Sequence, residues 1–232
     1  MNTSFADIEK KENRKDLIIS ICVFLSGFSC FAQLYYFQPL LPDLAKDFIL
    51  SASESSFAIS FSTLGMVFGL FTTMFVADRI PRKKMIGTGL LSSSIFSVAA
   101  SFSPTFLPLI LLSAAKGFLL SGATSVSMAY IAEEVSSRNK GKIMGLYIAG
   151  NALGGMAGRV ISSWIGALYT WRIASVSIGL ICALFAILFL LFSPRSTNFM
   201  PRKESFHTLI IANLQLITSK ALIPFYLTGG LI

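Results

Sequence analysis

The sequence alternates between long apolar runs and short charged segments, and this alternation constrains the fold more than any other feature. Six runs, each about as long as the roughly 20 residues that an α-helix needs to cross a bilayer, carry almost no charge. Within hydrocarbon only helices and closed barrels satisfy their own backbone groups, and uncharged runs of this length are typical of helices. The pattern therefore predicts an all-α membrane protein with a six-helix transmembrane bundle.

The boundaries of these runs predict where the spans lie. Only 13% of the 232 residues are charged, against roughly a quarter in a soluble domain, and this supports insertion into lipid. One uncharged stretch is too long for a single span, and "SFSPTF", residues 101–106, divides it in two. The predicted spans are residues 17–38, 55–77, 84–102, 106–131, 143–168 and 173–192.

The segments outside these spans complete the predicted organisation. Residues 1–16 form a charged cytoplasmic N-terminal tail, and residues 17–193 form the bundle. Residues 194–220 are interpreted as a cytoplasmic linker, in which "FHTLIIANLQLITSK" predicts a helix lying on the membrane surface. Residues 221–232 are interpreted as a seventh span that is cut short at residue 232.

The distribution of positive charge predicts the orientation. Of the 19 lysines and arginines, fifteen lie in the tail, the linker and the connections on the same side, while only Lys46 and Arg172 lie in connections on the other side. Because cytoplasmic segments are enriched in lysine and arginine, the N-terminus is predicted to be cytoplasmic. The net charge of +8 thus reflects topology and does not indicate a nucleic-acid partner.

The sequence lacks the residue patterns that carry enzyme chemistry. Cys22, Cys30 and Cys182 lie in apolar runs without a CxxC pair, and His207 is the single histidine. There is no glycine-rich phosphate loop, no GxSxG and no HExxH. The sequence therefore predicts no catalytic residue, no metal site and no cofactor. A membrane-embedded enzyme or lipid-binding module is the least favoured alternative.

Small residues recur every four positions on three of the predicted helices. This spacing places them on one face, where they allow helix backbones to approach closely in lipid. The stripes predict either plain bundle packing or helices that slide or rock on one another. Helix two carries Gly65 and Gly69, and the candidate packing glycines of helices four and five are Gly117, Gly150, Gly154, Gly155 and Gly158.

Two cations interrupt the spans. Lys116 and Arg159 have no carboxylate in the same runs, and a charge at the bilayer centre costs roughly 3 kcal/mol or more. They are interpreted either as lining a cavity for an anionic or polar solute, together with Asn151, or as bonding helix carbonyls or reaching the interface. Gln33 and Tyr36 lie near the outer end of helix one and are interpreted as lining a pathway or joining an interfacial aromatic belt.

The connection between helices two and three resembles a family motif. "GLFTTMFVADRIPRKKMIG", residues 69–87, is similar to the cytoplasmic loop motif of the major facilitator superfamily. The matching positions are Gly69, Asp78, Arg79, Arg82 and Lys83, and Pro81 stands where the family has a glycine. The resemblance implies that Asp78 and its neighbouring arginines form a cytoplasmic latch that holds the outward-open state, with its docking partner in the other half of the transporter.

Further stretches resemble the drug:proton antiporter branch of that family. "GLYIAGNALGGMAGR", residues 145–159, is similar to its fifth-helix motif, with Asn151 in place of a proline. "YYFQPLLPDLAKDF", residues 35–48, resembles the end of helix one in bacterial inner-membrane exporters. The helix-four motif Arg-x-x-Gln-Gly retains Gly117, but Ser113 stands at the Arg position and Lys116 at the Gln position. Because the family links that arginine to proton coupling, Lys116 is the candidate substitute.

The resemblance implies an architecture and a function. Members have two six-helix halves, each built from two inverted three-helix repeats, with the transport site between the halves. This chain is expected to be the N-terminal half of a proton-coupled exporter of the bacterial inner membrane, with lipid, protons and a small anionic or amphipathic molecule as partners. The alternatives are a truncated or split fragment that transports nothing, and a half-transporter that works with a second copy or a separate C-terminal half.

Overall fold

The structure, a computed structural model, describes residues 5–201 of the chain. Residues up to Phe199 form one compact unit, and residues from Met200 belong to a second. The predicted surface helix in residues 206–220 and the predicted seventh span in residues 221–232 lie outside the described residues.

The described part of the chain is helical and contains no strand. Short helices at Leu41–Asp47 and Ala52–Ser55 and single 3₁₀ turns at Gln38–Leu40 and Ala77–Arg79 lie in the connections. Each predicted span coincides with one long helix, so the predicted fold class is confirmed. The six long helices are α1 (Phe5–Tyr35), α2 (Phe57–Val76), α3 (Arg82–Ser101), α4 (Phe106–Glu134), α5 (Lys140–Leu168) and α6 (Trp171–Phe192).

The long helices differ in how apolar they are. Four segments are both long and apolar enough to cross a membrane, at Lys10–Asp47, Ala52–Arg79, Phe106–Glu134 and Trp171–Phe192. Helices α3 and α5 have the length but are less apolar, because α3 is rich in serine and α5 in glycine. The serines at the centre of α3 are buried, and Ser93 and Ser94 donate to the Leu90 carbonyl. Their hydroxyl groups are thus satisfied inside the bundle.

The α1–α5 and α2–α4 pairs make the most extensive contacts, and glycines lie at both. A methyl group on Gly150 would lie 2.6 Å from the carbonyl oxygen of Phe24 in α1, and one on Gly69 would lie 2.5 Å from that of Phe118 in α4. Real Cβ atoms do not approach backbone oxygens this closely, so these positions need glycine. Gly154, Gly158, Gly65 and Gly117 make similar close approaches. The small-residue stripes therefore lie where backbones touch.

The glycine contacts relate the first three helices to the last three. In α1 and α4 the equivalent residues differ by 90 positions: Phe24 and Ala114, Gly27 and Gly117, Phe28 and Phe118. In α2 and α5 the residues they touch differ by 85: Ser62 and Tyr147, Gly65 and Gly150, Gly69 and Gly154. The bundle therefore consists of two three-helix repeats, and exchanging the repeats turns the α1–α5 contact into the α4–α2 contact.

Helices α3 and α6 pair with each other across the boundary between the repeats. Gly87 of α3 meets Leu190, and Gly179 of α6 meets Val98. Equivalent residues of α3 and α6 differ by 92 positions, so Gly87 corresponds to Gly179 and Val98 corresponds to Leu190. The two contacts are therefore equivalent. The two helices therefore run antiparallel, and their N-terminal ends lie at opposite ends of the bundle. The repeats are inverted with respect to each other.

Candidate functional site

Lys116 lies in the interior of the bundle. It is 1% exposed, and its ammonium nitrogen has no hydrogen-bond partner among the described residues. The nitrogen lies 4.4 Å from the ring centre of Tyr36 and 4.8 Å from that of Phe37. It therefore neither bonds helix carbonyls nor reaches an interface. Desolvated cation–π contacts contribute about 2 kcal/mol, which offsets only part of the cost of burying a charge.

A polar network joins α1, α3 and α6 beside Lys116. The Gln33 amide oxygen accepts from Ser97 at 3.2 Å, and its nitrogen donates to Ser29 at 3.3 Å. The Tyr36 hydroxyl pairs with Ser175 at 2.9 Å, and Ser175 donates to the Ser97 carbonyl at 3.2 Å. Gln33 and Tyr36 are fully buried. Both therefore lie inside the bundle, away from any interfacial belt.

Two hydroxyl groups near Lys116 also lack partners. Ser62 in α2 and Ser113 in α4 are each 1% exposed, and neither side-chain oxygen has a partner among the described residues. Ser113 lies one turn before Lys116, and a side chain at the next position, Gly117, would collide with the Ser62 carbonyl. An unsatisfied buried polar group costs about 1–3 kcal/mol, and such groups are rare away from functional sites. Lys116 and Ser113 on α4 and Ser62 on the adjacent α2 thus each carry an unsatisfied buried polar group.

The candidates on α5 face the C-terminal half of α1. Arg159 is exposed, and its guanidinium group lies 4.7 Å from the ring centre of Tyr35. Gly155 faces the same ring. The Asn151 side-chain oxygen is buried without a partner among the described residues and packs onto Gly27. Arg159 thus contacts Tyr35, whereas Lys116 contacts Tyr36 and Phe37, so the two cations lie against different rings at the C-terminal end of α1.

Arg82 is the centre of a charged cluster at one end of the bundle, here called the Arg82 clasp. It is 8% exposed and donates to Asp78 at 2.9 Å, to Glu133 at 3.1 and 3.2 Å, and to the Ala77 carbonyl at 2.6 Å. Its guanidinium group also lies 5.0 Å from the ring centre of Phe199. Arg79 is exposed, and Gly69 lies in the α2–α4 contact away from the clasp.

The same cluster fastens the segment that follows α6. The backbone N–H of Lys83 donates to Ser196, and its ammonium group donates to the Ser193 carbonyl. The Tyr130 hydroxyl donates to the Pro194 carbonyl at 2.8 Å. Glu134 accepts from Lys15, Thr197 and the Asn198 backbone, each at 2.8 Å. Sequence reasoning missed Glu133 and Glu134. The available signal was that two adjacent acids follow the fourth predicted span, on the same side of the membrane as the cationic loop between the second and third spans.

A second cluster, the Arg172 clasp, lies at the other end of the bundle. Arg172 donates to the Ser101 and Ser103 carbonyls at 2.8 and 3.0 Å and to Asp47 at 3.0 Å. The Trp171 indole N–H also donates to Asp47 at 3.0 Å, and the guanidinium group stacks 4.4 Å from the Trp171 ring centre. The sequence identified Arg172 only as a cation in a connection and did not single out Asp47.

Comparison with known proteins agrees with this architecture. The family model described as Major Facilitator Superfamily matches residues 20–232. The structure is similar to that of the proton:xylose symporter XylE, solved bound to 6-bromo-6-deoxy-D-glucose. The TM-score is 0.73 at 15% sequence identity, and the match covers 94% of this chain and 52% of that one. At this identity the likeness concerns the fold alone.

Several bacterial relatives match most of this chain. An uncharacterized transporter of Buchnera aphidicola subsp. Schizaphis graminum is 38% identical over 86% of the chain and 48% of its own length. The inner membrane transport protein YnfM of Escherichia coli is 36% identical over 83% and 46%. The uncharacterized MFS-type transporter YybF of Bacillus subtilis is 31% identical over 92% and 53%.

The chain spans about half the length of these curated relatives. Its two inverted three-helix repeats correspond to one of the two halves that such transporters contain. The match of the family model to most of the chain and the identity to bacterial transporters agree with the fold. The chain belongs to the major facilitator superfamily and corresponds to the N-terminal half of such a transporter.

Proposed function

We propose that this chain is one half of a secondary transporter that moves a small molecule across the bacterial inner membrane by alternating access. Its bundle rocks against a second six-helix bundle around a site near the membrane midplane. The close glycine contacts support this, because they fasten the two repeats to each other and make the six-helix bundle a rigid body that can move as a unit. The excess of lysine and arginine on one side supports a cytoplasmic N-terminus. As a carrier, the protein performs no covalent chemistry and needs no cofactor.

Proton-coupled efflux is the proposed mode, and the buried Lys116 is the observation that carries it. Its charge has no counter-ion or hydrogen bond among the described residues, so loss of a proton relieves an unpaired buried charge. Binding of an anionic or amphipathic solute nearby supplies the missing negative partner. Protonation and solute binding at Lys116 are thereby linked. The direction of transport, export, is proposed from the likeness of the loop and fifth-helix motifs to exporters.

The second half of the transport site comes from another six-helix bundle. Helix α5 exposes a continuous face with Ile148, Met156 and Trp164, and α2 exposes Phe68 and Phe71. Exposed apolar faces suit lipid or a second bundle. A separately made or covalently continuous C-terminal half supplies the partner, while a second copy of this chain and a fragment without transport activity are the alternatives.

Transport measurements on the complete transporter, this chain together with its second half, test the proposal. Ethidium serves as an amphipathic cation and carboxyfluorescein as an organic anion, each followed by fluorescence in inside-out vesicles with and without a pH gradient. We expect pH-driven movement of at least one probe, and Lys116→Met should abolish its pH dependence. Lys116→Arg should keep the solute site but weaken the coupling, because arginine does not release its proton.

The matched control is Ser125→Ala, because Ser125 is an exposed serine of the same helix and donates to the Ser121 carbonyl of that helix. It should transport normally. Unchanged pH dependence in Lys116→Met would contradict the proton-coupling role. Saturable transport by vesicles that contain this chain alone would favour the second-copy alternative, and no transport by any combination would favour the fragment.

A further inference from the structure

We propose that Arg172 and Asp47 form a second gate of the transporter, the counterpart of the Arg82 clasp at the opposite end of the bundle. This inference rests on the proposed function, because a gate has meaning only in a protein that alternates between two open states. Both residues lie outside the cytoplasmic loop motif. The internal repeat, and not the sequence around Arg172, relates them to the Arg82 clasp.

The repeat places the same backbone acceptor in both clasps. The offset of 92 that relates α3 to α6 turns Ser101, the last residue of α3, into Ser193, the first residue after α6. The Ser101 carbonyl accepts from Arg172 and the Ser193 carbonyl accepts from Lys83. Each acceptor therefore ends the third helix of one repeat, and each donor lies at the start of the third helix of the other.

The acidic partners also lie at the C-terminal ends of corresponding helices, although the offset of 90 relates Glu133 to Asp43 and not to Asp47. Glu133 lies at the C-terminal end of α4, the first helix of the second repeat, and bonds Arg82. Asp47 ends the short helix that continues α1, the first helix of the first repeat, and bonds Arg172. Both arginines also contact an aromatic ring, that of Phe199 or of Trp171. Each clasp thus joins three helix ends with one cation.

The two clasps hold opposite ends because α3 and α6 run antiparallel. In such transporters one bundle rocks against the other around a fixed site, so one end closes as the opposite end opens. Both clasps are formed in this structure, one at each end, so each fixes the arrangement of the helix ends that meet the second bundle when its own end closes. Breaking either clasp loosens its own end, so the two substitutions should shift the equilibrium between the states in opposite directions.

Cysteine labelling in the complete transporter tests this. Cys22, Cys30 and Cys182 are first replaced by serine. Ala149 and Ser163, on the exposed face of α5 toward the Arg82 end and the Arg172 end, are then replaced singly by cysteine. The labelling rate with a hydrophilic maleimide reports access at each end. We expect Arg172→Gln to raise the ratio of the rate at position 163 to that at position 149 about three- to fivefold, and Arg82→Gln to lower it by a similar factor.

Further variants separate a gate from a purely structural contact. Exchanging the charges, with Asp47→Arg and Arg172→Asp together, should return the ratio toward its original value, while Lys46→Gln, an exposed cation of the same short helix, should leave it unchanged. If Arg172→Gln fails to fold, Asp47→Asn replaces it. A shift in the same direction as Arg82→Gln, or none, would overturn the inference. If the unsubstituted protein shows no reciprocal change of the two rates when a pH gradient is applied, the proposed function itself has failed.

Discussion

The Arg82 clasp and the Arg172 clasp close equivalent corners of the two repeats with different chemistry. The Arg82 side chain is 10% exposed and bonds two carboxylates, whereas the Arg172 and Asp47 side chains are 38% and 44% exposed. Arg172 makes up for its single carboxylate with two helix-end carbonyls and an indole ring. The difference shows that inverted symmetry preserves the helix contacts and the helix ends that meet, but not the side chains that join them.

The difference in burial also sets what each clasp contributes. Removing one partner from a buried ion pair costs several kcal/mol, because the other charge stays buried, while an exposed pair contributes about 1 kcal/mol or less. The Arg82 clasp is therefore the stronger fastening, and it also holds the segment after α6 through Lys83. The Arg172 clasp is easier to open. A difference in strength between the two clasps suits a transporter that rests with one end closed.

The largest expected effect concerns the close glycine contacts between the two repeats. Gly117→Ala should destabilise the protein by about 3 kcal/mol, because the new methyl group meets the Ser62 backbone. Its repeat equivalent Gly27→Ala should cost only about 1 kcal/mol, since the nearest atom belongs to the Asn151 side chain, which can rotate, and the Tyr147 carbonyl oxygen is 3.0 Å away. Free energies of unfolding from SDS titration in mixed micelles measure both.

The control for this pair is Gly141→Ala, because no atom lies within 4 Å of a methyl group at that position. It should leave the free energy of unfolding unchanged or raise it slightly, since alanine favours helix. Equal costs at Gly117 and Gly27 would show that the two repeats pack more alike than the structure indicates.

The next effect compares the buried clasp with an exposed neighbour. Arg82→Gln should lower the free energy of unfolding by about 2–3 kcal/mol, because it leaves Glu133 partly buried without its cation. Arg79→Gln, three residues earlier and exposed, should change it by less than about 0.5 kcal/mol. The same SDS titration measures both. Similarly small losses for the two variants would show that the Arg82 ion pairs contribute little to the free energy of unfolding.

The smallest effect separates the clasps by their response to salt. Asp47→Asn should cost about 0.5–1 kcal/mol at low ionic strength and almost nothing at about 1 M salt, where the screening length is about 3 Å. Glu133→Gln should keep most of its cost at high salt, because its partner Arg82 is buried. The difference between about 0.05 M and about 1 M salt in the thermal unfolding midpoint is the measurement. Equal salt dependence would contradict the contrast in burial.

The spans could be predicted almost completely from the sequence, and the reason is the solvent. Lipid tolerates only long apolar helices, so each run becomes a helix whatever it packs against, and all six were found. The largest difference is at α1, which begins at Phe5 and so carries the helix into the predicted tail. A charged segment of good helix formers continues a helix without needing lipid, and hydropathy alone does not detect it.

The candidate site was predictable only in part. Lys116 stood out because a cation in an apolar run has few explanations, yet its position over Tyr36 and Phe37 was not foreseeable. Asp78, one of the two acids that bond Arg82, is four residues away and belongs to the predicted motif. Glu133, in contrast, is 51 residues from Arg82, and Asp47 is 125 residues from Arg172. Such pairs depend on which helix ends meet, and single charged residues in connections carry no pattern that identifies a partner.

The sequence by itself predicted the six long helices, most of their ends and the segments that carry the positive charge, because the cost of placing polar groups in lipid acts on each segment separately. The tertiary structure alone decided that α1 packs on α5 and α2 on α4, and hence that Lys116 is buried and that two clasps exist. Helix association in lipid depends on close backbone fit at glycines and on polar pairing between distant residues. Those contacts exist only once the helices have met.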